Sequence, residues 1–345
     1  MNLQDLLKQS RNREPFDKEQ LVWMLQLAPE SPESYLIMQE ARRLSLEITG
    51  DQHEVHAQLA LNLAPCPKNC KFCSFAVING VFNKSTKLSP QEAVRDALIL
   101  EQTGANAVYV MTTANYDFGE FLEISAEIKR HLKPETVFVA NVGDRTPAEA
   151  RRMAEIGFHG VYHAVRLREG ADTAIPSQKR LDSFRAFKEA GLGLGTCVEP
   201  IGPEHSAQEI AELILLTGQL EPAYSGAARR ISIPGTEMAV NHGMVTELRQ
   251  AQVVAVTRLG VPDTVKGNCT HEPCSLGAAA GASLFWAEIG ANPRDIQTRT
   301  EDGRGADVER CAQLFWEAGC GVLEGPSNFF MEEKPGRLDS AGQVY

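Results

Sequence analysis

A parallel (β/α)8 barrel of the TIM type, with an N-terminal helical extension, is the fold that this sequence predicts. Short apolar segments alternate eight times with longer segments that have helical periodicity. Glycine follows several of the predicted helices, where a left-handed residue commonly ends a helix, as at Gly104, Gly157 and Gly191. A chain of 345 residues is long for one domain but fits an α/β barrel with extensions. Regular alternation of strand and helix indicates a parallel barrel.

The predicted elements divide the chain into three parts. Residues 1–50 are predicted to be N-terminal helices, because Asp17 supplies an acidic N-cap before apolar residues at helical spacing. Residues 51–325 form the barrel, and residues 326–345, rich in charge and glycine, form a C-terminal tail. The predicted strands are residues 55–63, 107–112, 137–141, 160–165, 193–198, 229–233, 264–268 and 284–289. The predicted helices of the barrel are residues 90–103, 118–132, 147–156, 177–190, 206–216, 245–257, 274–282 and 306–318.

Charge and hydropathy exclude several classes of partner. The formal net charge is -11, and the 34 basic residues are spread along the chain without a run, which argues against binding to nucleic acid or to an anionic membrane surface. The chain has no apolar run of 18 residues, and its first residues lack the pattern of a signal sequence. We therefore expect a cytoplasmic protein, a compartment in which its eight cysteines would stay reduced.

The most informative motif is a cysteine-rich loop after the first predicted strand. Cys66, Cys70 and Cys73 have the spacing C-x3-C-x2-C, and Phe72 precedes the third cysteine. Three thiolates can bind three irons of a [4Fe-4S] cluster and leave the fourth iron without a protein ligand. The alternatives are a zinc site, which usually has two C-x2-C pairs, a disulfide framework, which requires an oxidising compartment, and buried thiols without a ligand.

This motif resembles the signature of the radical S-adenosylmethionine (SAM) superfamily. The resemblance is greatest to the biotin synthase-like branch, which includes biotin synthase, two-protein lipoyl synthases, methylornithine synthase and the hydrogenase-maturation tyrosine-complex enzyme. It implies a [4Fe-4S] cluster whose open iron binds S-adenosyl-L-methionine, and an electron that cleaves SAM to a 5'-deoxyadenosyl radical. It also implies an electron donor such as a flavodoxin or a ferredoxin. The likeness extends over roughly residues 20–325.

Polar residues cluster at the carboxyl ends of the predicted strands, which is where barrel enzymes bind their substrates. Buried polar groups at this density are costly unless ligands satisfy them. Besides the cysteine loop, the residues at these ends are Thr112, Thr113, Asn115, Asn141, Asp144, His163, Arg166, Cys197, Glu199, Arg230, Ser232, Asn268, Cys269, His271 and Glu288.

For six residues the resemblance implies contacts with SAM. Thr112 and Thr113 lie where the superfamily has a segment that binds the amino group of SAM, although this chain lacks the glycine-rich form of that segment. His163 and Arg166 lie where the branch binds the ribose and the carboxylate of SAM. An arginine could clamp a carboxylate bidentately, although Arg166 could equally form a surface ion pair. The run from Ile231 to Met238, which contains Ser232 and Gly235, resembles the strand-six motif that approaches the adenine. Gly235 would permit a close backbone approach, although Pro-Gly is also a common turn.

A second group of cysteines supplies candidate catalytic and metal-binding residues. Cys197 stands where biotin synthase has one ligand of its auxiliary cluster, but strands two and three lack the cysteines that complete that site. Cys269, His271 and Cys274 follow strand seven, so Cys197, Cys269 and Cys274 could hold an auxiliary iron-sulfur cluster with His271 as a fourth ligand. The alternatives are a thiol that binds substrate or donates hydrogen, and simple burial.

The resemblance to the radical SAM superfamily implies an enzyme that removes hydrogen from an unactivated carbon. The leading hypothesis is sulfur insertion in biotin- or lipoyl-type cofactor biosynthesis, with a small molecule or a lipoyl-carrier-type substrate. The alternative is rearrangement or cleavage of an amino acid, as in methylornithine synthase or hydrogenase maturation. Glu199, Glu272 and Glu288 could bind the amine of such a substrate or the ribose hydroxyls of SAM. A non-catalytic cluster carrier is a third reading, in which SAM would not be cleaved.

Overall fold

A computed structural model describes residues 1–288 and 306–330 of the chain. Eight parallel strands close into a barrel, and helices surround it, so the predicted (β/α)8 fold is confirmed. The barrel strands, in chain order and in spatial order, are β1 (Glu54–Ala60), β4 (Ala107–Met111), β5 (Val137–Asn141), β6 (Gly160–Tyr162), β7 (Gly193–Gly195), β9 (Tyr224–Arg229), β10 (Gly267–Thr270) and β11 (Leu284–Ala287).

Pairing at the seam closes the barrel. β1 pairs in parallel with β4 on one side and with β11 on the other, and β10 pairs with both β9 and β11. A short strand, β8 (Val198–Ile201), continues the fifth barrel strand beyond a break and pairs with β9. Two short antiparallel strands, β2 (Asn62–Leu63) and β3 (Thr86–Lys87), bracket the cysteine loop.

The outer layer consists of helices whose apolar faces pack on the barrel. Its members are α4 (Pro90–Gln102), α5 (Phe118–His131), α6 (Pro147–Ile156), α7 (Ser177–Glu189), α8 (Ala207–Gln219), α9 (Glu237–Asn241), α10 (Glu247–Gly260), α11 (Ser275–Ala279) and α12 (Val308–Glu317). Local sequence sets many of their starts: Ser89 and Glu92 form a capping box at α4, and Ser206 and Glu209 form another at α8.

Three further helices precede the barrel and share its hydrophobic core. They are α1 (Leu3–Arg11), α2 (Lys18–Gln26) and α3 (Pro32–Thr49). α2 packs against α8 and α10, and α3 packs along α10. The Gln252 side chain on α10 donates hydrogen bonds to the carbonyls of Met24 (3.2 Å) and Leu27 (3.0 Å). The N-terminal extension therefore belongs to the same packed unit as the barrel.

Two predicted strands were misplaced along the chain. The sixth strand ends at Arg229, whereas the sequence predicted residues 229–233, and the seventh starts at Gly267 rather than at residue 264. The sequence after Tyr224 consists of small residues with low strand propensity, which hides the sixth strand from pattern reading. A side chain at Gly226 would collide with the backbone of Cys269, so close approach of the two strands requires glycine there. Residue 289 of the predicted eighth strand lies outside the described residues.

The segment after α12 fills the amino end of the barrel. Residues 326–330 were predicted to belong to the tail, but Ser327 and Phe329 are buried there. The ring of Phe330 lies where a side chain at Gly160 or Gly193 would be, and the ring of Phe329 does so at Gly267. The barrel therefore has one closed end. The rest of the predicted tail, residues 331–345, lies outside the described residues.

Candidate functional site

A cavity of about 250 Å³ opens at the carboxyl ends of the barrel strands. This is the end at which the sequence placed the site. The predicted site residues that line the cavity are Cys66, Cys70, Cys73, Thr112, Thr113, Asn141, His163, Arg166, Glu199, Arg230, His271, Glu272 and Glu288. The remaining predicted residues are not among the lining residues: Asn115, Asp144, Cys197, Ser232, Gly235, Asn268, Cys269 and Cys274.

Backbone hydrogen bonds hold the cysteine loop at the rim of the cavity. The Cys66 amide donates to the carbonyl of Phe75 (2.7 Å), and the Cys73 amide donates to that of Cys70 (2.9 Å). Asn79 donates from its side chain to the Cys73 carbonyl (2.8 Å). The three sulfur atoms do not all lie within 4.8 Å of one another, which is the spacing that would suit one shared metal ion. A cube distributes its thiolates over three irons, so this wider arrangement fits a cluster better than a zinc ion.

The two threonines after β4 lie beside the cysteine loop and have different surroundings. Thr113 is fixed by Asn62, whose side chain donates to the hydroxyl (2.7 Å) and accepts from the Thr113 amide (2.9 Å). The Thr112 hydroxyl is buried and has no hydrogen-bond partner within the part of the chain that the structure describes. A buried hydroxyl at a cavity wall is costly without a partner, so this atom fits a polar group of a bound ligand.

Arg166 lies on the cavity wall and pairs with Glu199. One guanidinium nitrogen of Arg166 is 3.2 Å from a Glu199 carboxylate oxygen, and the Arg166 amide donates to Glu169 (3.0 Å). Burial lowers the pKa of Arg166, but the charge of Glu199 outweighs this and holds the pKa above its usual value. Burial, with the nearby Glu199 carboxylate, also raises the pKa of Tyr162 well above its usual value. The wall therefore carries a permanent positive charge beside the cysteine loop.

Behind this wall a buried network supports His163. Asp144 lies 3.4 Å from His163 Nε2 and 3.1 Å from Arg180, and Arg180 also contacts Glu169 (3.2 Å). Burial lowers the pKa of His163, so its ring is neutral at pH 7. The sequence did not single out Arg180, because it lies on α7 among several other basic residues and not at a strand end.

Two buried carboxylates line the cavity, Glu272 after β10 and Glu288 after β11, the strand that pairs with β1. Glu272 accepts hydrogen bonds from the Arg229 amide (3.2 Å) and from the Gln250 side chain (3.0 Å). Glu288 lies 3.3 Å from the amide nitrogen of Gln58. The sequence did not single out Gln58, although a polar residue in the apolar run 55–63 was the available signal. Both carboxylates could bind a cationic group of a substrate.

The residues after β9 are placed less centrally than the resemblance implied. Gly235 has a φ of +82° and lies in an exposed turn before α9. Ser232 has a buried hydroxyl without a hydrogen-bond partner among the described residues, but it does not line the cavity. Arg230 is buried and paired with Glu204 (3.1 Å), and its side chain also donates to the Gly243 carbonyl (2.8 Å).

The second cysteine group only partly converges. Cys197, Cys269 and His271 place their ligand atoms within 4.8 Å of one another, directly below the cavity, and His271 alone of the three lines it. Cys274 was expected to join them, but it is the N-cap of α11, and its sulfur accepts a hydrogen bond from the Gly277 amide (3.3 Å). Local helix capping therefore directs this thiol away from the other two.

Comparison with known proteins identifies the domain that carries this site. The radical SAM superfamily profile matches residues 65–217. The chain contains a radical SAM domain. Biotin synthase from Arthrobacter sp. is 26% identical over 240 residues, which cover 66% of this chain and 65% of that protein. Biotin synthase from Delftia acidovorans is 28% identical over 253 residues, which cover 69% of each chain.

Solved structures show the same fold at lower identity. The crystal structure of methylornithine synthase has a TM-score of 0.77 and 14% identity, covering 94% of this chain and 98% of that one. The [FeFe]-hydrogenase maturase HydG from Carboxydothermus hydrogenoformans has a TM-score of 0.76 and 16% identity, covering 92% and 78%. The predicted resemblance to the radical SAM superfamily and to its biotin synthase-like branch is thus confirmed. No helix in residues 1–288 or 306–330 is long and apolar enough to cross a membrane.

Proposed function

We propose that this protein is a cytoplasmic radical SAM enzyme that abstracts hydrogen from an unactivated carbon of a small, amine-bearing substrate. Cys66, Cys70 and Cys73 would hold a [4Fe-4S] cluster at the cavity rim, fed by an electron donor such as a flavodoxin or a ferredoxin. When bound, the cluster and S-adenosyl-L-methionine would supply a 5'-deoxyadenosyl radical. The observation that carries this proposal is that the cysteine loop lines a cavity whose wall also contains polar atoms able to bind a ligand, such as the Thr112 hydroxyl.

The chain's own residues would bind and orient the two small molecules. Arg166 offers a fixed positive charge to a carboxylate, and the Thr112 hydroxyl, which has no partner in the described part of the chain, offers a hydrogen bond in the same cavity. The barrel strands surround the cavity, and residues 326–330 pack into the amino end of the barrel. A barrel that excludes water from the cavity would protect a carbon radical from quenching.

The buried carboxylates support an amine-bearing substrate, such as an amino acid that is rearranged or cleaved. Glu272 and Glu288 line the cavity after β10 and β11, whereas Arg166 lines it after β6, so a molecule with a cationic and an anionic group would meet complementary charges on different sides of the cavity. Cys197 and Cys269 are fully buried and do not line the cavity, which disfavours a sulfur atom that must reach the substrate.

Sulfur insertion in biotin- or lipoyl-type cofactor biosynthesis is the second candidate function. It is favoured by the convergence of Cys197, Cys269 and His271 and by the biotin synthases among the relatives. A lipoyl-type reaction would add a carrier protein or peptide as the substrate. One [4Fe-4S] cluster contains about four iron and four sulfide ions. Sulfur insertion predicts more iron and sulfide than this per chain, and a loss of sulfide during turnover.

The deciding experiment combines a metal count with a substrate search. Protein reconstituted without oxygen, then given reductant and SAM, should release 5'-deoxyadenosine, and a filtered small-molecule cell extract should accelerate the release. Passing that extract over a cation exchanger should remove the acceleration, because the exchanger retains amines. Absence of 5'-deoxyadenosine would leave only a cluster carrier. Acceleration that survives the exchanger, together with lost sulfide, would favour sulfur insertion.

The Glu272→Gln and Glu288→Gln variants sharpen the test. Each should weaken the acceleration by the extract about tenfold or more, since a buried charge-assisted contact is worth about 1.5–3 kcal/mol. Release of 5'-deoxyadenosine without the extract should stay close to wild type. Glu317→Gln on α12, far from the cavity, is the matched control.

A further inference from the structure

Two sulfurs and one imidazole nitrogen meet at the cavity, from the fifth and the seventh strands of the barrel, which β9 separates. Cys197 lies in the break between β7 and β8, Cys269 lies in β10, and His271 follows β10. The structure joins the sulfurs of Cys197 and Cys269 as a disulfide, and His271 Nε2 is 3.6 Å from the Cys197 sulfur. Both cysteines are completely buried. Nothing in the cysteine loop or in the radical chemistry accounts for this meeting.

The backbone geometry favours two thiolates that share an ion over a disulfide. The Cα atoms of Cys197 and Cys269 are 7.2 Å apart, whereas a disulfide usually holds its Cα atoms within about 6.8 Å. A tetrahedral ion with a thiolate bond of about 2.3 Å and an imidazole bond of about 2.0 Å places the two ligand atoms about 3.6 Å apart. The separation between Cys197 Sγ and His271 Nε2 has this value.

The charge balance identifies the class of ion. Two thiolates are costly inside the apolar core of Tyr162, Tyr224 and Trp286, but a doubly positive ion would neutralise them. Two sulfurs and one imidazole are the donor set that thiophilic ions prefer. Glu199 lies 3.9 Å from His271 Nδ1, the position from which a carboxylate can orient a ligating histidine.

We propose that Cys197, Cys269 and His271 bind one thiophilic divalent metal ion, with Zn²⁺ as the expected occupant, separate from the cluster of the cysteine loop. Three protein ligands leave one tetrahedral position for water or for a substrate atom, as in catalytic zinc sites. Because His271 lines the cavity, the ion lies at the cavity floor. The ion also ties the β7–β8 break to β10.

The experiment counts metals in protein purified without oxygen and without added metal. We expect about one zinc per chain that remains after the cluster iron is removed with a chelator. Cys197→Ser, Cys269→Ser and His271→Ala should each reduce this zinc at least tenfold, because each removes one of three ligands. Cys274→Ser is the matched control and should retain the zinc, since serine also serves as the N-cap of α11.

Cobalt substitution gives a readout that is independent of enzyme activity. Protein reloaded with Co²⁺ should show a thiolate-to-cobalt charge-transfer band, and tetrahedral visible bands that disappear in Cys269→Ser. Two results would overturn the proposal. One is iron and sulfide in equal excess that depend on Cys197, which indicates a second cluster. The other is a Cys197–Cys269 disulfide, found by mass spectrometry in protein that binds neither zinc nor cobalt.

Discussion

The two ends of the barrel treat buried polar groups in opposite ways. At the amino end, Glu54 accepts hydrogen bonds from Ser327 and from the Asn328 amide (2.7 Å) and contacts His56 (2.7 Å), which in turn contacts Tyr109 (2.9 Å). At the carboxyl end, the Thr112 hydroxyl lies at the cavity wall without a hydrogen-bond partner among residues 1–288 and 306–330. Here "amino end" means the side that residues 326–330 fill.

This difference distinguishes polar residues that stabilise the barrel from polar residues that bind ligands. A buried polar group whose partners are all supplied by the chain contributes to folding, whereas one without a partner lowers stability until a ligand arrives. Residue type alone does not distinguish the two, because both ends contain histidine, glutamate and tyrosine. Substitutions at the two ends should therefore change different measured quantities.

The largest effect should come from the cysteine loop. Cys66→Ala, Cys70→Ala or Cys73→Ala should reduce 5'-deoxyadenosine release more than about 100-fold, because a cluster needs all three thiolates. The free energy of unfolding of the metal-free protein should barely change. Cys320→Ser, at the amino end, is the control for cysteine loss. Retained activity in Cys70→Ala would contradict the proposed cluster.

A substitution at the amino end should change stability and leave catalysis intact. In Gly160→Ala the new methyl group would collide with the Phe330 ring and with the Gly193 carbonyl, which is 2.6 Å away. We expect a loss of about 1–3 kcal/mol in urea unfolding, the usual cost of overpacking. Phe330→Leu in the same chain should recover part of it. The comparison between the two ends fails if the folded Gly160→Ala protein shows a changed KM for SAM.

Arg166→Lys tests the charged wall of the cavity. Lysine keeps the charge but cannot form two parallel hydrogen bonds to a carboxylate, so the KM for SAM should rise about tenfold. Arg168→Lys is the matched control, because Arg168 is partly exposed and pairs with Glu209 (2.8 Å) outside the cavity. An equal effect in both variants would indicate that Arg166 acts only as an ion-pair residue.

The smallest effect should be a pH dependence of stability at Asp144, which does not line the cavity and has its partners within the chain. Burial raises the pKa of Asp144, but His163 and Arg180 outweigh it and hold the pKa well below the usual value. A depressed carboxyl pKa contributes stability above the unfolded-state pKa of about 3.9 and loses it as the pH falls below that value. Asp144→Asn should therefore cost about 1–2 kcal/mol at pH 7 and progressively less below pH 4.

Urea unfolding at several pH values checks this sign. Asp182→Asn is the control, because the Asp182–Arg185 pair is exposed and should contribute little at any pH. A cost of Asp144→Asn that grows towards acid would show that the carboxyl is protonated in the folded protein.

The sequence pattern was sufficient to predict features that depend on residues close together in the chain. Alternating apolar segments predicted the barrel, and the spacing of Cys66, Cys70 and Cys73 predicted a loop that the structure places at the cavity rim. Capping residues predicted helix starts such as that of α2 after Asp17. Pattern reading failed at β9, where small residues carry little strand propensity and neighbouring strands impose the structure.

The sequence by itself determined the fold class, the resemblance to the radical SAM superfamily and the cysteine loop, because hydrophobic period and cysteine spacing are properties of residues that are close in the chain. Only the tertiary structure decided that Cys274 leaves the group formed by Cys197, Cys269 and His271, that Gln58 and Arg180 support the cavity, and that residues 326–330 close the barrel. These outcomes depend on which distant residues meet when the strands close. The order of residues in the sequence does not show which distant side chains come into contact, because those contacts form only when the core packs.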